Sequence, residues 1–105
     1  MVIIWRPQAS EALWRIYDFY AIKEEKAARK ILTTILNAVD KLSAFPEMAA
    51  VEQALVNEPE GYRSLVAHKL FKVVYMVDKE REEVVIVDIW DCRQNPDFLK
   101  RGITG

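Results

Sequence analysis

The side chains of this sequence that could do chemistry are mostly cations. Arg63, Lys69 and Lys72 lie in residues 61–77, a stretch with no acidic residue, and Arg93 follows further on. Guanidinium and ammonium groups gathered at one point can orient a phosphate and stabilise the charge of its transition state. The plainer reading is a solvated face on which Arg93 pairs with Asp91 or Asp88. His68 is the only histidine, placed in a tight turn facing solvent, and is the one side chain suited to carry a proton near neutral pH. A Cys–His nucleophile would need Cys92 beside His68. The position of Cys92 at the end of an apolar strand predicts a buried, inert thiol instead. Trp90, next to Asp91 and near Arg93, could stack a base, although core packing is the commoner fate of a tryptophan. Trp5 and Trp14 read as core or helix–sheet contacts for the same reason.

The strong motifs are absent. There is no Walker loop, no dinucleotide glycine fingerprint, no HExxH helix and no cysteine pair. No cofactor and no metal site is expected. The chain has 105 residues, of which 51% are apolar and 30% charged, which suits a single folded domain over 1–105 and excludes disorder. One cysteine cannot close an internal disulfide, so a reducing compartment is expected. No apolar run approaches the roughly 20 residues of a membrane span, and the apolar start is too short for a signal peptide. The expected location is the cytoplasm.

The net charge of −1 argues against a globally basic nucleic-acid binder. Its distribution is uneven. Residues 1–46 carry seven basic and five acidic groups, and residues 61–105 carry eight and seven. Between them, Glu47, Glu52, Glu58 and Glu60 stand with no basic residue. A local basic patch is therefore compatible with a neutral total.

The elements that must position these groups follow from periodicity. Val2 to Trp5 is β-branched and apolar, a short strand that Pro7 stops. Leu13, Ile16, Tyr17, Tyr20 and Ala21 mark one face of a helix over 8–22. Ala28, Ile31, Leu32, Ile35, Val39 and Leu42 mark a second over 24–44, ended before Pro46. A single helix over 8–44 would be about 55 Å long, against about 30 Å for a compact domain of this size. The polar run Lys23-Glu24-Glu25-Lys26 is the natural break, giving an antiparallel hairpin. Residues 46–61 connect, with a short element near Val51 to Val56. Runs at 63–67, 70–77 and 84–90 then describe an antiparallel meander, and a short amphipathic tail spans Asp97 to Arg101. The order β-α-α-β-β-β means an α+β fold, the hairpin packed on one face of a small, mainly antiparallel sheet. Phe71, Val73, Tyr75 and Val77 should face the helices. Lys72 should share the open face with Leu70 and Val74.

Several segments, taken in order, resemble the RelE/ParE superfamily, the toxins of type II toxin–antitoxin modules. They are Trp5-Arg6-Pro7-Gln8-Ala9, Ala27-Ala28, Leu42-Ser43-Ala44-Phe45-Pro46, Gly61-Tyr62-Arg63-Ser64-Leu65, Phe71-Lys72-Val73-Val74-Tyr75, and Val87 to Pro96. Asp91-Cys92-Arg93-Gln94-Asn95-Pro96 is most similar to a ParE-like subgroup of plasmid-stabilisation proteins. The resemblance implies the fold just described. It also implies a cognate antitoxin that wraps the toxin with a helix and an extended segment, seated on the exposed sheet face and any groove beside the helices.

It implies one of two mechanisms. RelE-like members cut messenger RNA in the ribosomal A site, where cations orient the scissile phosphate for attack by the 2′-hydroxyl. ParE-like members bind DNA gyrase and lack that catalytic set. On the RelE-like reading Arg93 matches a catalytic arginine, Lys72 falls where an arginine stands and Arg63 where a lysine stands. The next lysine falls on Leu65, and the C-terminal tyrosine or histidine falls near Leu99, both apolar here. No general acid or base is evident. The expectation is thus a growth-inhibiting toxin of a plasmid-stabilisation system, ParE-like, acting on a target such as DNA gyrase. The alternatives are a RelE-like ribosome-dependent endoribonuclease, the only reading that makes the chain an enzyme, and a non-toxic interaction module. Homodimer and heterotetramer with antitoxin are both compatible with the resemblance.

Overall fold

Proline fixes its own φ and lacks an N–H, so it ends a strand and starts a helix with equal ease. Pro7 does both: β1 (Val2–Trp5) stops just before it, and α1 (Pro7–Ala21) begins at it. The structure, a computed structural model, describes residues 1–104. α2 (Glu25–Ala44) follows after a break with no glycine or proline. The N–H groups of Lys23 and Glu24 both turn back to the carbonyl of Tyr20, and Glu24 takes an extended backbone (φ −158°, ψ 109°). This is the break expected at the polar run, and it makes the two helices a hairpin. Phe45, held off the helical region by Pro46, closes α2.

A connecting segment with one 3-10 turn (Gln53–Leu55) leads to Gly61, whose φ of +69° lies in the region that favours glycine. β2 (Arg63–His68), β3 (Phe71–Asp78), β4 (Glu83–Asp91) and α3 (Pro96–Thr104) complete the chain. The sheet order is β1-β4-β3-β2, with β1 parallel to β4 and the other pairs antiparallel. This is the expected α+β order, and the expected tail is a helix.

The hairpin lies on one face of the sheet. Ala9, Leu13, Ile35, Val39 and Leu42 pack against Phe71, Val73, Tyr75, Ile86 and Ile89. Each large aliphatic group buried there contributes about 1.5–3 kcal/mol. The period-two assignment of Phe71, Val73, Tyr75 and Val77 to this face holds. Leu70 joins this side too, rather than sharing a face with Lys72, because it sits in the turn before β3.

The opposite face is not open. Leu55 from the 3-10 turn and Leu99 from α3 fold onto Val74, Val85 and Val87 as a second small core. An apolar sheet face exposed to water is costly, and the amphipathic tail has the apolar side needed to cover it. Leu99 is fully buried there. The sheet face expected to be open is therefore covered by the chain itself.

One irregularity re-aims a functional side chain. Val74 pairs with Asp88 and Tyr75 with Ile86, so Val87 is an extra residue in β4. Without this bulge Asp88 would follow Ile86 onto the helix face. With it, Asp88 lies opposite Val74 of the second core.

Candidate functional site: dispersed cations and a groove beside α1

Arg63 opens β2 opposite Tyr75, so its side chain shares the helix face of the sheet. Its Nη1 donates to the carbonyl of Ala49 at 2.6 Å. Lys72 pairs across the strands with Val66 and stands on the other face with Val74. Its ammonium donates to Oε1 of Glu52 in the connecting segment. The second oxygen of Glu52 accepts the N–H of Ala54 at 2.9 Å and so caps the 3-10 turn. Burial would push the Glu52 carboxyl up, but the bonds from Lys72, Ala54 and Ser64 outweigh it and hold the group below the usual carboxylate range. Lys72 thus lies on the predicted face of the sheet, but beneath a strap rather than in the open.

Arg93 sits just past β4 and exposed. Its Nε donates to Oδ1 of Asp91 at 2.9 Å and its Nη2 to Oδ2 at 2.7 Å, a fork-on-carboxylate pair. The hydrogen bond from Arg93 is the main cause holding the Asp91 carboxyl low. The expected Arg93–Asp91 ion pair is therefore present.

His68 closes β2 and is half-buried, not solvent-facing as its turn position suggested. Its Nδ1 accepts the N–H of Leu70 at 3.2 Å, and its ring lies 5.9 Å from that of Phe71. An accepting nitrogen carries no proton, so the neutral ring keeps its proton on Nε2. Leu65 packs against the first core and Leu99 fills the second. Cys92 is exposed, contrary to the buried thiol expected, because β4 ends one residue before it. Trp90 packs half-buried against the second core, and Trp5 against the first. Trp14 belongs to neither core: it is 54% exposed on α1, edge-on to Tyr17.

The structure thus does not bring Arg63, Lys72 and Arg93 to one point. What it does form is a groove of about 420 Å³ beside α1. Ala12 and Ile16 of α1 and Ile89 of β4 floor it, and Phe19 and Phe98 stand on its two walls. It exists because β1 pairs with β4 only as far as Ile86, leaving the rest of β4 without a strand neighbour on that side. Asp88 lies in it, 7% exposed, taking a hydrogen bond from Nε2 of Gln8 at 3.3 Å. Burial pushes its carboxyl up, against smaller opposing contributions from Gln8, the Ile89 N–H and the charge of Arg15. Gly102 of α3 approaches the same glutamine: a Cβ there would lie 3.6 Å from Nε2. Gln8 and Arg15 carry no sequence signal that separates them from ordinary helix surface. Asp88 was visible only as a partner for Arg93, since the bulge that re-aims it has no signature in a run of valines and isoleucines.

Among the described residues, no group of three or more His, Cys, Asp or Glu side chains could hold a metal ion, and no helix is long and apolar enough to cross a membrane.

Comparison with known proteins fits this architecture. Residues 3–96 match the family model for the ParE toxin of type II toxin–antitoxin system, parDE. A chain from the solved structure of a chromosomal ParDE TA system from P. aeruginosa is similar in fold, with a TM-score of 0.71 and 24% sequence identity over 87% of this chain and 95% of that one. No curated protein matches. The chain belongs to the ParE toxin family.

Proposed function

We propose that this ParE family member is a toxin that acts in the cytoplasm by binding and inhibiting a cellular protein, with DNA gyrase as the first candidate, and that a cognate antitoxin neutralises it. The observation that carries the reading is the dispersal of the three candidate cations. Phosphodiester cleavage by 2′-hydroxyl attack needs cations converging on one phosphate, with a group to move the proton. Here Arg63 and Lys72 occupy opposite faces of the sheet and hold Ala49 and Glu52. Arg93 is forked onto Asp91 beyond the strand end. The residues at the remaining positions of the nuclease pattern, Leu65 and Leu99, are packed in the two cores and can neither donate nor accept. The groove beside α1 offers instead what a protein partner recognises, an apolar floor with a few placed polar groups.

The test is induction of the chain alone in a bacterial host, with primer extension on several messages. Growth arrest with intact messages supports inhibition by binding. Translation-dependent cuts within codons would restore the endoribonuclease reading, and normal growth would favour a non-toxic interaction module.

A further inference from the structure

Asp88 is a buried acid with acceptor capacity to spare. It is 7% exposed and lies in the groove beside α1. Its carboxylate accepts from Nε2 of Gln8 at 3.3 Å and from the N–H of Ile89. A carboxylate offers about four acceptor sites, and these bonds fill about half of them. Among the described residues no cation forms an ion pair with it, and Arg15 acts on it only through its charge. Buried acceptor sites without donors cost free energy, so this end of the groove is complementary to a ligand that donates.

The mouth has the opposite character. Arg15 is exposed in the groove and, among the described residues, makes no hydrogen bond or ion pair. Arg93, also exposed there, neutralises Asp91 through its fork. Beside the far wall Arg101 is exposed, with its guanidinium 5.4 Å from the centre of the Phe98 ring. A ligand that brought a cation to Asp88 would meet these guanidiniums as like charges. A neutral donor with an anionic tail meets a donor-seeking floor and a cationic rim.

Size and shape narrow the class. About 420 Å³ is the volume of a small-molecule pocket. Its walls offer flat apolar faces, since Phe19 is 60% exposed and Phe98 52%, and such rings stack planar heterocycles. Gln8, Ala12, Arg15 and Phe19 form one stripe of α1, with about 10 Å of helix axis between Gln8 and Arg15. The acid bonded to Gln8 and the free guanidinium are thus about one mononucleotide apart.

The acid also selects the base. Guanine carries two adjacent donors, N1–H and its amino group, that meet one carboxylate as a parallel pair. Adenine and cytosine place an acceptor beside their amino donor, and uracil flanks its single N–H with carbonyls. Each of those edges would turn a lone pair toward Asp88.

We infer that this groove binds a guanine mononucleotide, its base edge on Asp88, its ring against Phe19 and Phe98 and its phosphate on Arg15. The inference goes beyond the toxin reading and does not rest on it. A nucleotide seated there would compete with a protein partner for the same groove.

The test titrates the full chain by calorimetry with guanosine 5′-monophosphate (GMP), adenosine 5′-monophosphate (AMP) and guanosine. GMP is expected to bind and, in an isotopically labelled sample, to shift the resonances of Phe19, Asp88 and Phe98. AMP should bind at least about tenfold more weakly, because its edge leaves the acid without a second donor. Guanosine should also lose about tenfold, the factor one good ion pair supplies. Asp88→Asn puts an amide donor where guanine needs an acceptor and should erase the preference for GMP over AMP. Arg15→Ala is a surface change that should erase the preference for GMP over guanosine and keep that over AMP. No binding of GMP at millimolar concentration, equal affinity for GMP and AMP, shifts mapping to another surface, or unchanged preferences in both variants would each overturn the inference. A chain that arrests growth but ignores GMP loses this site alone. A chain that binds GMP but leaves growth untouched loses the toxin reading alone.

Discussion

Arg63 and Lys72 grip the same connecting segment from opposite faces of the sheet. Arg63 bonds Ala49 on the helix side, and Lys72 bonds Glu52 on the other. The segment between α2 and β2 is the acidic stretch of the chain. Its two cationic anchors are residues that a sequence reading assigns to phosphate chemistry. Their geometry is that of clamps, and it has consequences for stability that can be measured.

The Glu52 side chain is 6% exposed and that of Lys72 19%. Removing one partner of so enclosed a pair leaves a buried charge uncompensated, at a cost of about 3–5 kcal/mol. Lys72→Ala should lower the urea-unfolding free energy by about 3 kcal/mol, whereas Lys72→Met combined with Glu52→Gln should recover most of that loss. The pH dependence has a definite sign. Glu52 is held below its unfolded value, so its stabilisation is present above about pH 4.3 and is lost as pH falls through the folded value. Glu52→Gln should flatten that acid limb of the unfolding profile.

Asp88 should behave in the opposite sense. Burial raises its carboxyl, so the protonated form is the better folded one and stability falls as pH rises from its unfolded value, about 3.9, through its folded value. Asp88→Asn removes that fall. At neutral pH the variant should unfold at equal or slightly higher urea, within about 1 kcal/mol of the parent. Unfolding curves of both proteins at acid and neutral pH check the difference directly.

Much of this was legible in the sequence because the relevant signals are periodic. The helix faces, the break at Lys23-Glu24-Glu25-Lys26 and the Phe71-Val73-Tyr75-Val77 face all follow from spacing and stand in the structure, except that Tyr17 and Ala21 lie outside the core and Ala9 and Ala12 complete the buried side of α1. The unread parts depend on tertiary placement. Nothing local says that Leu99 folds back over Val74 and Val87, or that Glu52 reaches Lys72, 20 positions further along the chain. Nor does a strand written Val84-Val85-Ile86-Val87 disclose where its extra residue falls, although that residue decides which way Asp88 points. The apolar residues at Leu65 and Leu99, by contrast, were readable as gaps in the nuclease pattern, and their burial explains them.

Leu99 is the keystone of the second core, fully buried between α3 and the sheet. Leu99→Ala should cost about 2–4 kcal/mol and loosen α3. Faster amide exchange in Pro96–Thr104, with β3 and β4 still protected, is the expected pattern. Uniform loss of protection across the sheet would mean that the second core is integral to global folding rather than a cover.

Arg93 is 57% exposed at its side chain, and its pair with Asp91 is a surface pair. Arg93→Ala should therefore change unfolding free energy by less than about 1 kcal/mol. It should also leave message profiles after induction the same as those of the parent. A cleavage pattern present in the parent and absent in Arg93→Ala would reinstate the arginine as a catalytic group.

Inhibition by binding is read out in a gyrase supercoiling assay with the purified chain. Supercoiling of relaxed plasmid should fall as the chain is added, Lys72→Met with Glu52→Gln should inhibit as well as the parent, and the cognate antitoxin should restore activity. Unimpeded supercoiling at every concentration, together with translation-dependent cutting of messages by the same preparation, would contradict it.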